Sequence, residues 1–232
     1  MIEFTIMMIG YKIFGTKNVK KQLYYFIVAC LNFFLLYMTG CRTAFVATAG
    51  AMLVFLIINK NYRICSLIGL LCIIGGIYFI FNPEQFPRIE KLVDNFTVRT
   101  KIWHAAIEGI KAHPLFGQGP MTYMMIFKQY GGHVTQHAHS VYLDPILSFG
   151  VVGVATLVPY MFDNCKRLFK VYQEKLNLRY VALVISCIAV ILLHGVLDYT
   201  IFWVHTGMLF LLIASSFEMF KHCLLYTSPS PR

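Results

Sequence analysis

The sequence predicts an all-α integral membrane protein with about six transmembrane helices and one long helical extracytoplasmic loop. Three observations carry this. Of the 232 residues, 58% are hydrophobic and only 13% charged, against ~45–50% and ~25% in an ordinary soluble domain. The mean hydropathy is +0.66, more apolar surface than one soluble core of this size can bury. The apolar residues fall in long runs, with none of the alternation of a β-barrel, and helices satisfy their own backbone in lipid. Seven cysteines are present, but they lie mostly inside apolar runs, which is not the spacing of a secreted disulfide scaffold.

A crossing needs ~20 apolar residues for ~30 Å of hydrocarbon. Six stretches approach that length: Gln22–Gly40, Ala44–Asn59, Ile64–Phe81, Val141–Phe162, Tyr180–Leu197 and Phe202–Phe220. Lysine and arginine orient them. Lys12, Lys17, Lys20 and Lys21 precede the first stretch, Lys60 and Arg63 join the second to the third, and Lys166, Arg167, Lys170, Lys175 and Arg179 join the fourth to the fifth. With Lys221 after the sixth, placing all of these in the cytoplasm lets the spans alternate without conflict. The net charge of +10 is thus an orientation code. No basic cluster on a soluble face supports nucleic-acid binding.

The ends read differently from the middle. Met1 to Phe14 is apolar, too short to span, and ends in Lys12 and Lys17, as the cytoplasmic end of an upstream helix would. The positive charges follow the apolar run, which argues against a signal peptide. Residues 223–232, Cys-Leu-Leu-Tyr-Thr-Ser-Pro-Ser-Pro-Arg, read as the translation of a sequencing-library adapter and are set aside from fold reasoning.

Between Pro83 and Ser140 the chain leaves the bilayer on the outer side. A connection this long is functional or disordered, and its aromatic content and helical pattern favour order. Val98 to Ala112 is expected to be a helix on the membrane surface, with Trp103, Ile107 and Ile110 along one stripe, Thr97 as its cap and Pro114 as its stop. Gly117 and Gly119 permit a tight turn.

Ionisable residues at or near membrane depth are the site candidates. Arg42 stands in a tight outer turn, where the bland alternative is an arginine reaching to head groups. Arg99 lies four residues before Trp103, on the same helical face. His133, His137 and His139 precede the fourth span. As a metal set they lack a completing cysteine or carboxylate, Asp144 apart, so no metal and no cofactor is expected. A neutral imidazole suits a general base near pH 7. His194 and Asp198, spaced i, i+4 at the outer end of the fifth span, are expected to pair structurally. His205 and Glu218 read as packing or interface residues. Two arginines and a histidine on one side of the membrane suit glycosyl transfer from a lipid diphosphate: arginine grips diphosphate bidentately, and histidine takes the proton of an attacking hydroxyl.

Cys41-Arg42 opening a span, Arg99-x3-Trp103, His113-Pro114-Leu115-Phe116-Gly117-Gln118-Gly119, His137-Ala138-His139-Ser140-Val141-Tyr142-Leu143 and Gly150-Val151-Val152-Gly153 follow in that order. This pattern resembles the O-antigen ligase/polymerase family, and His194-Gly195-x2-Asp198 is similar to that family's penultimate span. The resemblance covers roughly residues 36–217. It implies a C-type glycosyltransferase architecture at the outer face of the bacterial plasma membrane. It also implies an undecaprenyl-diphosphate-linked glycan donor, a glycan or lipid acceptor, and inverting transfer without metal or nucleotide. Arg42 and Arg99 match the family's diphosphate-binding arginines and His139 its proposed base, with Trp103, His137, Tyr142, His194 and Asp198 in support. Cys41 stands where the family often has serine, and Ser140 where it often has asparagine. Members normally have about twice as many spans, so this chain corresponds to a C-terminal half. Ligase and polymerase fit equally. The reading from another class, a transporter or flippase of lipid-linked glycans, would require charged or discontinuous helices at mid-membrane, whereas the polar residues here gather at the outer rim. An anchor without chemistry would leave the ordered loop unexplained.

Overall fold

The computed structural model describes residues 1–85, 92–174 and 177–213, and no strand occurs among them. The helices are α1 (Ile2–Gly15), α2 (Val19–Thr39), α3 (Arg42–Ile58), α4 (Tyr62–Phe81), α5 (Leu92–Ala112), α6 (Thr122–Ile126), α7 (Leu143–Ala155), α8 (Leu157–Gln173) and α9 (Leu178–His194), followed by α10 (Val204–Ile213).

Each of the six apolar stretches is helical where it is described, but the spans are unequal. Among the described residues, only α2 and α4 are long and apolar enough to cross a bilayer singly. The expected fourth span is broken: α7 and α8 meet at 72°, so it is one crossing only if the bent pair is counted together. The helices α3 and α9 are shorter apolar elements of 17 residues each. The sixth stretch is described to Ile213, and its remainder, with Glu218, Lys221 and residues 223–232, lies outside the described residues. The N-terminal stretch forms α1, whose 14 residues reach only ~21 Å at 1.5 Å per residue.

The main core lies between α1, α3 and α9. Ala44, Ala47, Thr48 and Ala51 line one face of α3 and are almost fully buried. Small residues at this spacing let backbones approach closely, which is how helices associate without a solvent driving force. A side chain at Gly50 would strike Leu193 on α9, 2.7 Å from its Cδ1. From α1, Phe4, Ile6 and Met7 complete the packing. By contrast α4 buries no residue and α2 only Leu36. A helix apolar all round with no protein neighbours on most sides is one whose partner is lipid.

The start of α3 is set by the end of α2. Gly40 adopts φ 65° and its N–H bonds the Tyr37 carbonyl at 3.0 Å, a left-handed stop that glycine takes without penalty. Cys41 and Arg42 then open α3 at that rim.

A second, smaller core sits in the long connection, where Ile102, Ala105 and Ala106 of α5 pack with Tyr123, Ile126, Ala138 and Leu147. Two expectations are corrected here. The helix starts at Leu92, so Thr97 is internal, and its carbonyl accepts from Thr100 Oγ1 at 2.8 Å. The buried stripe is Ile102, Ala105, Ala106 and Gly109, with Trp103 and Ile110 at its edge and Ile107 41% exposed. Large side chains suggested one face, but close approach favoured the small ones. A Cβ at Gly109 would lie 2.3 Å from Ile126 Cδ1.

The turn after α5 is stitched to the break in α7. Gly150 leaves helical geometry at φ 66°, ψ −179°, which frees backbone groups that must find other partners. Val151 and Val152 donate to the carbonyls of Pro114 and Leu115 at 2.9 and 3.0 Å, while Gln118 and Gly119 donate to those of Leu147 and Ser148 at 3.3 and 2.8 Å. A Cβ on Gly150 would sit 2.2 Å from the Leu115 oxygen, and one on Gly117 2.5 Å from the Ser148 carbonyl. The expected Gly117/Gly119 turn is present, with φ 65° and 96°.

Candidate active site

The segment 133–140 is held at the junction of both cores. Asp144, buried in the first turn of α7, accepts from the Ala138 N–H and from Ser148 Oγ. Ser140 Oγ accepts from the Tyr142 and Leu143 N–H groups at 3.3 and 3.4 Å, capping α7. Val141 N–H bonds the Gly195 carbonyl at 2.9 Å, which ties the segment to the end of α9. Asp144 is thus a structural clamp on the histidine turn, in place of the metal ligand considered from sequence.

The three histidines separate. His133 is exposed, His137 buried and His139 half-buried. His139 adopts φ 47°, uncommon for a residue with a Cβ and a recurrent sign of a constrained functional position. Its Nδ1 lies 3.0 Å from Asp198 Oδ1 and its Nε2 3.2 Å from Thr135 Oγ1. A carboxylate only accepts, so in the neutral ring Nδ1 carries the proton and Nε2 accepts from the Thr135 hydroxyl. Trp103 Nε1 donates to the His139 carbonyl at 3.5 Å, which brings α5 to the same place.

Asp198 stays ionised. Burial alone would push its carboxyl up, but the hydrogen bond and charge of His139, with the Tyr199 N–H at 2.8 Å, outweigh burial and hold it at about 2. His137 goes the other way for an imidazole: burial, reinforced by the neighbouring His139, lowers it to about 4. Phe202, Tyr199 and Trp203 surround its ring at 4.8, 6.0 and 6.3 Å. It remains neutral at pH 7, and its Nδ1 accepts the His139 backbone N–H at 3.2 Å.

The expected His194–Asp198 pair does not form. His194 ends α9, and the chain turns there, so the i, i+4 geometry that would align the side chains is lost. Asp198 keeps only a backbone bond to the His194 carbonyl, 3.1 Å. The His194 ring turns back into the bundle, with Nδ1 2.8 Å from Glu3 Oε1 and Nε2 3.7 Å from Cys41 Sγ. Glu3 and Thr135 are the partners sequence reasoning missed. An acidic residue inside an apolar stretch was the available signal for Glu3; Thr135 offered none.

Arg42 is half-buried at the start of α3, directly after Cys41. Arg99, half-buried, lies one turn before Trp103 on α5. Tyr142 is exposed and braces α7 against α9, its hydroxyl donating to the Leu192 carbonyl at 3.0 Å. His205 is exposed on α10 and takes no part. His137, His139 and Asp198 each offer a ligand atom, all within 4.8 Å of one another. The carboxylate of this cluster is Asp198, 59 residues beyond His139 in sequence.

A model of the O-antigen ligase family matches residues 27–158. The chain belongs to the O-antigen ligase family. The match contains Arg42, Arg99, Trp103, His137, His139 and Tyr142, and ends before His194 and Asp198. No curated protein matches the chain. Membership carries the coarse properties of an O-antigen ligase or polymerase: a membrane-embedded enzyme of the glycosyltransferase kind, acting on lipid-linked glycan and an acceptor.

Proposed function

We propose that this member of the O-antigen ligase family transfers or polymerises glycan from an undecaprenyl-diphosphate carrier at the outer face of the bacterial plasma membrane. Residues 22–82 and 141–222 supply three spans each, and residues 83–140 form the extracytoplasmic loop that carries the chemistry. His139 is the general base. Its Nε2 takes the proton of the acceptor hydroxyl as that oxygen attacks the anomeric carbon. The bond from that carbon to the carrier diphosphate breaks, its electron pair leaves with the diphosphate, and the anomeric configuration inverts. Arg42 and Arg99 bind the departing diphosphate through planar, permanently charged forks, so no metal is required. Asp198 holds the reactive tautomer and stabilises the imidazolium that forms, the logic of a carboxylate–histidine pair.

The observation that carries this reading is the His139–Asp198 contact at 3.0 Å, with Nε2 turned to a hydroxyl inside a family that transfers glycans. The test is complementation of a strain lacking its own enzyme. His139→Ala should cut surface glycan by about 10²- to 10⁴-fold, the worth of a positioned base, with membrane insertion unchanged. A chelator added to purified enzyme should leave transfer intact. Glycan surviving in His139→Ala would remove the base, and loss of transfer on chelation would turn His137, His139 and Asp198 into a metal site.

A further inference from the structure

The opposite end of the bundle holds a second site that the glycan chemistry does not use. Arg179 and His194 lie fifteen residues apart on α9, about 22 Å along the axis. At the Arg179 end, a cavity of about 250 Å³ opens between the end of α1 and the starts of α2 and α9. Lys12, Lys21 and Arg179 line it together with Tyr11, Tyr25 and Thr16, and no carboxylate is among its described lining residues. Its cations are held in place by local structure. Arg179 Nη1 donates to the Phe14 carbonyl at 2.9 Å, one of the orphan acceptors at the end of α1, so its guanidinium is fixed across that terminus. Asn18 Oδ1 accepts from the Lys20 and Lys21 N–H groups at 3.0 and 3.2 Å, which starts α2 and sets the position of Lys21.

An apolar groove adjoins this cavity. A groove of about 300 Å³ between α1, α9 and α10 is lined by Met8, Leu183, Leu209 and Leu212, and it shares Tyr11 and Lys12 with the cationic cavity. A triple-cation cavity joined through a tyrosine and a lysine to a hydrocarbon-lined groove matches one amphiphile: an anionic headgroup bearing an acyl chain. We propose that the α1–α2–α9 junction binds the phosphate of an anionic phospholipid whose acyl chain occupies the α1–α9–α10 groove. Basic pockets between membrane helices recognise lipid headgroups through this charge complementarity, and arginine adds bidentate geometry.

The experiment is native mass spectrometry of the full chain in neutral detergent, offered equal amounts of phosphatidylglycerol and phosphatidylcholine. The wild type should retain phosphatidylglycerol over phosphatidylcholine about tenfold. Lys12→Gln/Lys21→Gln/Arg179→Gln should bring that ratio close to one, while Lys166→Gln/Arg167→Gln/Lys170→Gln on α8 keeps it. Circular dichroism confirms that each variant is folded. If the triple variant is not, the single variants Lys12→Gln and Lys21→Gln should each lower the ratio about two- to threefold. Inorganic phosphate in large excess should not displace the lipid, because the chain in the groove contributes to binding. Equal retention of the two lipids, a ratio unmoved by the variants, or displacement by phosphate would overturn the proposal. None of these readouts depends on glycan transfer, so the site stands or falls apart from the His139 mechanism.

Discussion

Two histidine–carboxylate contacts sit one turn of chain apart and do different things. His194 meets Glu3 at 2.8 Å with side chains 8% and 7% exposed, whereas His139 meets Asp198 at 3.0 Å with side chains 28% and 30% exposed. The inner pair is buried among residues of α1, α3 and α9. The outer pair rests on the small loop core, opens to the surface, and involves a histidine with positive φ. Geometry of the contact alone does not separate a structural pair from a catalytic one. The two pairs differ in access and in backbone constraint.

The difference predicts opposite responses to mutation. Asp198→Asn should lower glycan transfer about 10²- to 10³-fold, since an amide can donate to Nδ1 and favour the wrong tautomer. A rate within a few-fold of wild type would reduce Asp198 to packing. Glu3→Ala should act on stability instead, costing about 3 kcal/mol in detergent unfolding because it strands a buried imidazole. Glu3→Leu/His194→Leu, which removes both partners, should recover most of that loss. Failure of the double variant to recover would mean that the inner pair is more than structural.

Acid should weaken the outer region in two separate steps. His137 is held neutral, with its folded value near 4 below the ordinary 6.5. The unfolded chain therefore takes up the proton first, and stability present above pH 6.5 is lost as pH falls toward 4, by about 2–3 kcal/mol. The depressed Asp198 contributes only below that, between about 4 and 2. A Tm series from pH 7 to pH 4 should fall in wild type and flatten in His137→Gln. The smallest effect is expected at Trp103→Phe, which loses one long hydrogen bond to the His139 carbonyl and should slow transfer by less than about tenfold.

Most of the helices were legible because lipid imposes length and composition on them, and α2 and α4 were the clearest since they bury almost none of their surface in protein. The Gly117/Gly119 turn was legible because glycine marks positive φ. The buried face of α5 was misread because alanine and glycine carry little hydrophobic signal, although they set how closely α6 and α7 approach. The break at Gly150 was hidden within an apolar run, since its compensating carbonyls come from Pro114 and Leu115, far away in sequence. Partners were the least legible feature: Asp198 was recognised as a polar group of interest but assigned to the histidine nearest in sequence.

The sequence by itself determined that this chain lives in a membrane, the order of its helices, and the family it belongs to. Those follow from local composition and motif order, which need no contacts to be read. Only the tertiary structure decided that His194 pairs with Glu3, that His139 pairs with Asp198, and that three cations from separate helices share one cavity. Each depends on a chain turn redirecting side chains across distances in sequence over which periodicity carries no information.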